Sequence, residues 1–185
     1  LAECSEGVVG STLRALNPLG TSEWEWIPTQ SRVQVLLRRA NAQIAEVRSH
    51  KYYSLLELRR PQAIPLLLAV AHMVRLVHKE SDDIDEELGE FATSVRSIEG
   101  HQKHTNTVLI GALNANPFAN GLVLPTSLHA VMPKKVAEQG TRDVSHRTWP
   151  YFFNPMWQFF GDGVTAPPGT CYYAPEGSHR AFHWN

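Results

Sequence analysis

LIGALNANPF, Leu109–Phe118, carries an apolar run into a glycine, two asparagines and an Asn-Pro-Phe turn. On spacing alone it is a strand end followed by a turn, because Gly, Asn and Pro are ordinary turn residues. Thr107–Ile110 (TVLI) supplies the strand, and Gly111 ends it. Upstream, Ile64–Met73 (IPLLLAVAHM) is almost continuously apolar, which predicts a central strand buried on both faces. Between the two, Ile84, Leu88, Phe91, Val95 and Ile98 recur at steps of four and three, on one face of a helix. Ser81 suits its cap, Asp82, Asp83, Asp85 and Glu86 suit its positive end, and Gly100 suits its stop. Residues 64–110 therefore read strand, helix, strand, a unit of a mixed sheet in an α/β fold.

Outward from this unit the signals thin. Val33, Val35 and Leu37 alternate weakly as a strand, and Tyr52–Leu58 (YYSLLEL) is another candidate. The C-terminal third holds Pro150, Pro155, Pro167, Pro168 and Pro175 and reads as loop-rich, with a strand expected only at Cys171–Tyr173. The 185 residues are 43% hydrophobic, enough for one globular domain over 1–185 with a real core. The formal net charge is -1, so any contact with nucleic acid has to come from a local basic patch. Two cysteines, Cys4 and Cys171, make neither a disulfide framework nor a zinc spacing, which points to a reducing, cytoplasmic setting. No apolar run is long enough to span a membrane, and the opening LAECSEG lacks the basic and apolar stretches of a secretory leader. Leu1 is not a start residue and the chain stops abruptly in RAFHWN, so both ends read as cut.

Several segments together resemble the endonuclease/exonuclease/phosphatase superfamily. There a buried strand ends in Gly-Asp-Phe-Asn, and one bacterial branch continues as Asn-Ala-Asn-Pro-Phe. Here the corresponding residues are Gly111, Ala112, Leu113, Asn114, Ala115, Asn116, Pro117 and Phe118. LHAVM (Leu128–Met132) and YFFNPMW (Tyr151–Trp157) resemble later segments of that branch, with Gly161-Asp162 and Pro168-Gly169-Thr170 at similar intervals. LAEC (Leu1–Cys4) is similar to the strand end bearing the family's metal-binding glutamate, and VAHM (Val70–Met73) to the strand ending in its site histidine. The resemblance implies a four-layer α/β sandwich, two mixed β-sheets flanked by helices, incomplete at both termini. The first strand would precede Leu1, and the closing Asp-Gln and Ser-Asp-His segments would follow Asn185.

It also implies phosphodiester cleavage with Mg²⁺ or Mn²⁺. A hard cation that polarises a phosphate prefers carboxylate and water ligands, and Glu3 is the match for that ligand. Asn114 would orient phosphate or water through its amide. His72 would hydrogen-bond a phosphate oxygen or act as acid/base. The bland readings are a solvated glutamate at Glu3 and a hydrogen-bonded core histidine at His72. The departure is Ala112, where the family has the aspartate that activates the nucleophile. Alanine accepts no proton, and loss of a positioned general base commonly costs about 10²–10⁴-fold. Either natural loss or deliberate silencing explains it. Three functions follow: a nuclease on DNA or RNA, a phosphoesterase on small or lipid phosphates, or a catalytically dead subunit that binds a protein partner.

The remaining features read blandly. His101 and His104 stand three apart without a third ligand, and Asp82, Asp83 and Asp85 lack the glycine and closing glutamate of a calcium loop. Trp24, Trp26, Trp149 and Trp157 read as core or loop anchors, or as stacking platforms for bases. Arg38, Arg39, Arg59 and Arg60 read as phosphate-backbone contacts or as sheet-edge charges.

Overall fold

The protein is described by a computed structural model covering residues 4–19, 21–38, 42–73, 81–156, 171–173 and 182–184. It is a mixed α/β structure with several sheets and four helices among these residues. The chain divides into two compact units, one of residues 1–73 and 94–112, the other of 74–93 and 113–185. Among the described residues no helix is long and apolar enough to cross a membrane.

The first unit opens with α1 (Glu6–Leu16), whose Val9 is fully buried. Asn17 then clasps the backbone of Trp24, donating to its carbonyl and accepting from its N–H, both at 2.8 Å. Two short antiparallel strands follow, β1 (Trp24–Ile27) and β2 (Val35–Arg38). The sheet proper is β3 (Gln43–His50), β4 (Tyr53–Arg59), β5 (Leu66–His72) and β6 (Thr107–Ala112), in that spatial order. The first three run antiparallel, while β5 and β6 are parallel and linked through α2 (Ser81–Gln102). This is the strand, helix, strand unit read from the sequence, with β5 inside the sheet as expected.

Alternation along the strands gives the sheet two faces. One is tied to the C-terminal half of α2: Tyr53 Oη shares a 2.8 Å hydrogen bond with Ser94 Oγ. On the same face Thr107 Oγ1 donates to Glu99 Oε1 at 2.6 Å. Arg96 adds a 3.1 Å ion pair to Glu99, so this buried carboxylate is satisfied twice. The other face carries a core of Val33, Val35, Leu56 and Val70, with Ile27, Ile44 and Leu68 packed on it. On β6 that face stays open, with Val108 42% and Ile110 57% exposed.

In the second unit, the short helix α3 (Asn120–Val123) begins where Asp85 Oδ1 accepts the Gly121 N–H at 2.7 Å. A Cβ on Gly121 would stand 2.7 Å from Leu88 Cβ, so only hydrogen fits between them. Next come β7 (Ala130–Val131), α4 (Lys134–Ala137), the hairpin of β8 (Thr141–Val144) and β9 (Arg147–Pro150), and β10 (Phe152–Phe153). β10 returns to pair in parallel with β7. Finally β11 (Cys171–Tyr173) pairs antiparallel with β12 (Phe182–Trp184).

Several boundaries differ from the sequence reading. Ile64 is 74% exposed and β5 starts only at Leu66, because Pro65 brings no N–H to the ladder. Val33 makes an isolated bridge and the continuous strand begins at Val35. The helix runs through Gly100 to Gln102, and the left-handed residue past its end is Lys103, φ 57°. Its buried stripe is Ile84, Leu88, Phe91 and Val95, while Ile98 is half-buried. The Ser81 side chain lies outside the described residues. The loop-rich segment also holds the β8–β9 hairpin, whose turn is Ser145-His146, both at positive φ rather than the glycine a reader looks for.

Candidate functional site

The C-terminal ends of β5 and β6 set two of the sequence-selected residues side by side. His72 and Ala112 are in-register partners of the parallel pair, so their side chains leave the same sheet face. That face is the one opposite α2. Both residues are half-buried. The backbone around them is fixed on both sides: His72 N–H donates to Tyr52 O at 2.7 Å, and Met73 N–H donates to Ala112 O at 2.9 Å.

Gly111 is required by this closeness. Its φ is +144°, and a Cβ built there would lie 1.9 Å from Ala71 O, inside the backbone of the neighbouring strand. Further along, Asn114 sits in the left-handed region at φ 52°, where asparagine is tolerated better than most residues, and it is half-buried. Asn116 closes an Asx turn, its Oδ1 accepting the Phe118 N–H at 2.9 Å. Gly111, Asn114 and Asn116 thus each meet a backbone requirement of this turn. Phe118 is 62% exposed.

The two later segments of the resemblance are joined in the second unit. Phe152 N–H donates to His129 O at 3.2 Å, and Asn154 N–H to Val131 O at 2.9 Å, so LHAVM and YFFNPM lie along each other. His129 is buried at φ 54°, its Nδ1 3.1 Å from Pro150 O and its ring 4.4 Å from that of Tyr151. Asn154 repeats the Asx device, accepting the Met156 N–H at 3.1 Å. Trp157, Asp162 and the Pro168-Gly169-Thr170 run lie outside the described residues.

Glu3, the expected metal ligand, also lies outside them. Among the described residues no three His, Cys, Asp or Glu side chains gather closely enough to hold a metal ion. The strand ends supply the imidazole of His72 and the methyl of Ala112, with no carboxylate.

Several of the other candidates have partners within the chain. His101 Nδ1 lies 2.6 Å from Ser97 O, and His104 Nδ1 accepts the Asn106 N–H at 3.3 Å. Trp26 Nε1 donates to Gln34 Oε1 at 2.9 Å, and Trp24 and Trp149 are half-buried, as anchors are. Arg38 pairs with Glu23 at 2.7 Å and Arg59 with Glu57 at 2.9 Å, so neither adds an uncompensated charge. Arg39 lies outside the described residues. A basic group the sequence reading passed over stands at the β3–β4 turn, where Arg32 and Lys51 both lie over the ring of Tyr52. Its only signal in the sequence is the adjacency of Lys51 and Tyr52. No protein-family model, no curated protein and no solved structure matches this chain.

Proposed function

We propose that this chain is the phosphodiester-hydrolysing domain of a metal-dependent nuclease, silent in its present form because Ala112 stands where an aspartate would work. The observation that carries the reading is the register of His72 with Ala112 at neighbouring ends of two parallel strands. Open ends of parallel strands are where α/β sheets place their chemistry. A carboxylate at 112 would take a proton from an attacking water, and His72 beside it would hold or protonate a phosphate oxygen. Asn114, two residues on, would orient that phosphate. Mg²⁺ or Mn²⁺ would stabilise the charge on phosphate, with Glu3 as its protein ligand. The exposed Val108 and Ile110 support the four-layer sandwich, since that architecture covers such a face with a second sheet.

The test is the full-length protein carrying Ala112→Asp, assayed on DNA, RNA and bis-p-nitrophenyl phosphate with Mg²⁺. The rate should rise by at least about 10²-fold, the lower end of what a general base supplies, and chelation should abolish the gain. A second reading rests on Ala112 itself: a catalytically dead subunit serving a protein partner. It wins if Ala112→Asp stays inert on every phosphodiester while the protein binds such a partner tightly.

A further inference from the structure

A chain of formal charge -1 needs a local basic patch to hold a polyanion, and the β8–β9 hairpin supplies one. Its ladder sets Arg142 opposite Trp149, Asp143 opposite Thr148 and Val144 opposite Arg147. Directly opposed residues share a face, and successive residues alternate between faces. Arg142, Val144, Arg147 and Trp149 therefore lie on one face of the hairpin, with Asp143 and Thr148 on the other. The carboxylate is engaged on its own side, where Asp143 Oδ1 accepts the Thr148 hydroxyl at 2.6 Å. Both arginines are exposed, and among the described residues neither has an ion-pair partner. They are diagonal neighbours across the ladder, a relation that separates residues by about 7–8 Å. Two uncompensated guanidinium groups thus share one side of the hairpin.

The scaffold suits an elongated polyanion. Ser145 and His146 turn at φ 50° and 62°, the two-residue turn whose twist matches that of the strands it joins. Among the described residues no third strand pairs with β8 or β9, so the two form a free-standing ribbon. The major groove of duplex DNA admits a two-stranded ribbon of this kind. A guanidinium presents a planar fork that matches two oxygens of one phosphate. We propose that Arg142 and Arg147 bind backbone phosphates of duplex DNA, with the β8–β9 ribbon laid against its groove. The assignment rests on the nuclease reading for the choice of nucleic acid among polyanions, and it deepens that reading by naming a double-stranded substrate.

The experiment measures binding by the full-length protein, which the Ala112 form permits without cleavage. Fluorescence anisotropy with a labelled DNA duplex gives affinity as a function of salt. Each phosphate contact on B-DNA contributes a slope of about 0.9 in log K against log salt, so Arg142→Ala/Arg147→Ala should lower it by about 1.8. The charge-keeping Arg142→Lys/Arg147→Lys pair should retain the original slope, and so should Arg59→Ala, already paired with Glu57. An unchanged slope in the double alanine variant overturns the proposal, as does an equal fall with Arg59→Ala. Unlabelled duplex should displace the probe at a lower charge concentration than poly-L-glutamate or a single-stranded oligonucleotide. Equal displacement by either competitor overturns the assignment to duplex DNA. Hydrolysis of bis-p-nitrophenyl phosphate by Ala112→Asp reports separately on the underlying reading. If that hydrolysis fails while the slope still falls, the DNA-binding ribbon stands and the hydrolase assignment goes.

Discussion

His72 and Ala112 face the same way from adjacent parallel strands, held in register by a ladder that runs from Leu67–Thr107 to the strand ends. A side chain longer than alanine at 112 would therefore stand beside the imidazole. In an Ala112→Asp background, His72→Ala should cut the rate of phosphodiester hydrolysis by about 10²–10⁴-fold, the range for an acid/base group. Steady-state kinetics on one small phosphodiester is the measurement. An unaltered rate would remove His72 from the site.

Leu88 is fully buried on α2 and meets Gly121 at close range. Leu88→Ala should cost about 2–5 kcal/mol in a urea or guanidinium titration, the range for an unfilled core leucine. A negligible change in midpoint would show that the helical stripe is not core.

Gly111→Ala should be costlier than its single methyl suggests. Forcing a non-glycine residue into such a backbone conformation costs about 1–3 kcal/mol, and here the new Cβ also meets the Ala71 carbonyl. A stability loss no larger than that of an exposed strand substitution would refute the close approach of β5 and β6.

Thr107→Val tests the buried Glu99. The hydroxyl donates to Glu99 Oε1 at 2.6 Å, and a hydrogen bond to a charged group is worth about 1.5–3 kcal/mol. Valine keeps the shape and removes the donor, so denaturation should report a loss in that range.

The central unit was legible because its signals are strong and local. The apolar run at 64–73 and the four-three spacing of Ile84, Leu88, Phe91, Val95 and Ile98 located the strand and the helix, although the strand begins only at Leu66 and Ile98 is half-buried. Less legible were elements whose pattern depends on partners far along the chain. Gln43–His50 alternates half-buried and exposed residues, but Ala45, Glu46 and Arg48 give it no run of strand formers, and a register shift between Glu46 and Arg48 blurs the period. The hairpin at 141–150 turns on Ser145-His146, so the turn chemistry a reader searches for is absent. Of the site, the adjacency of His72 and Ala112 could not be read, since register is fixed by the pairing of two strands separated by a helix. Glu99 was invisible for another reason: a buried glutamate on a helix face breaks the hydrophobic period and betrays itself only through its partners.

The pairing of β7 with β10 bears on how the second unit assembles. Residues 130–131 and 152–153 are brought together with the β8–β9 hairpin nested between them. The hairpin links near neighbours in sequence and closes a short loop, whereas the β7–β10 pair alone would have to close a much longer one against chain entropy. Forming the hairpin first ties Thr141 to Pro150, and the Tyr151 N–H then reaches Gly140 O at 2.9 Å. The remaining gap is bridged largely by α4, another local element. Such nesting favours assembly from the inside outward, each short closure making the next one shorter, and a substitution that loosens the 145–146 turn is expected to slow refolding through strands it never touches, as stopped-flow kinetics would show.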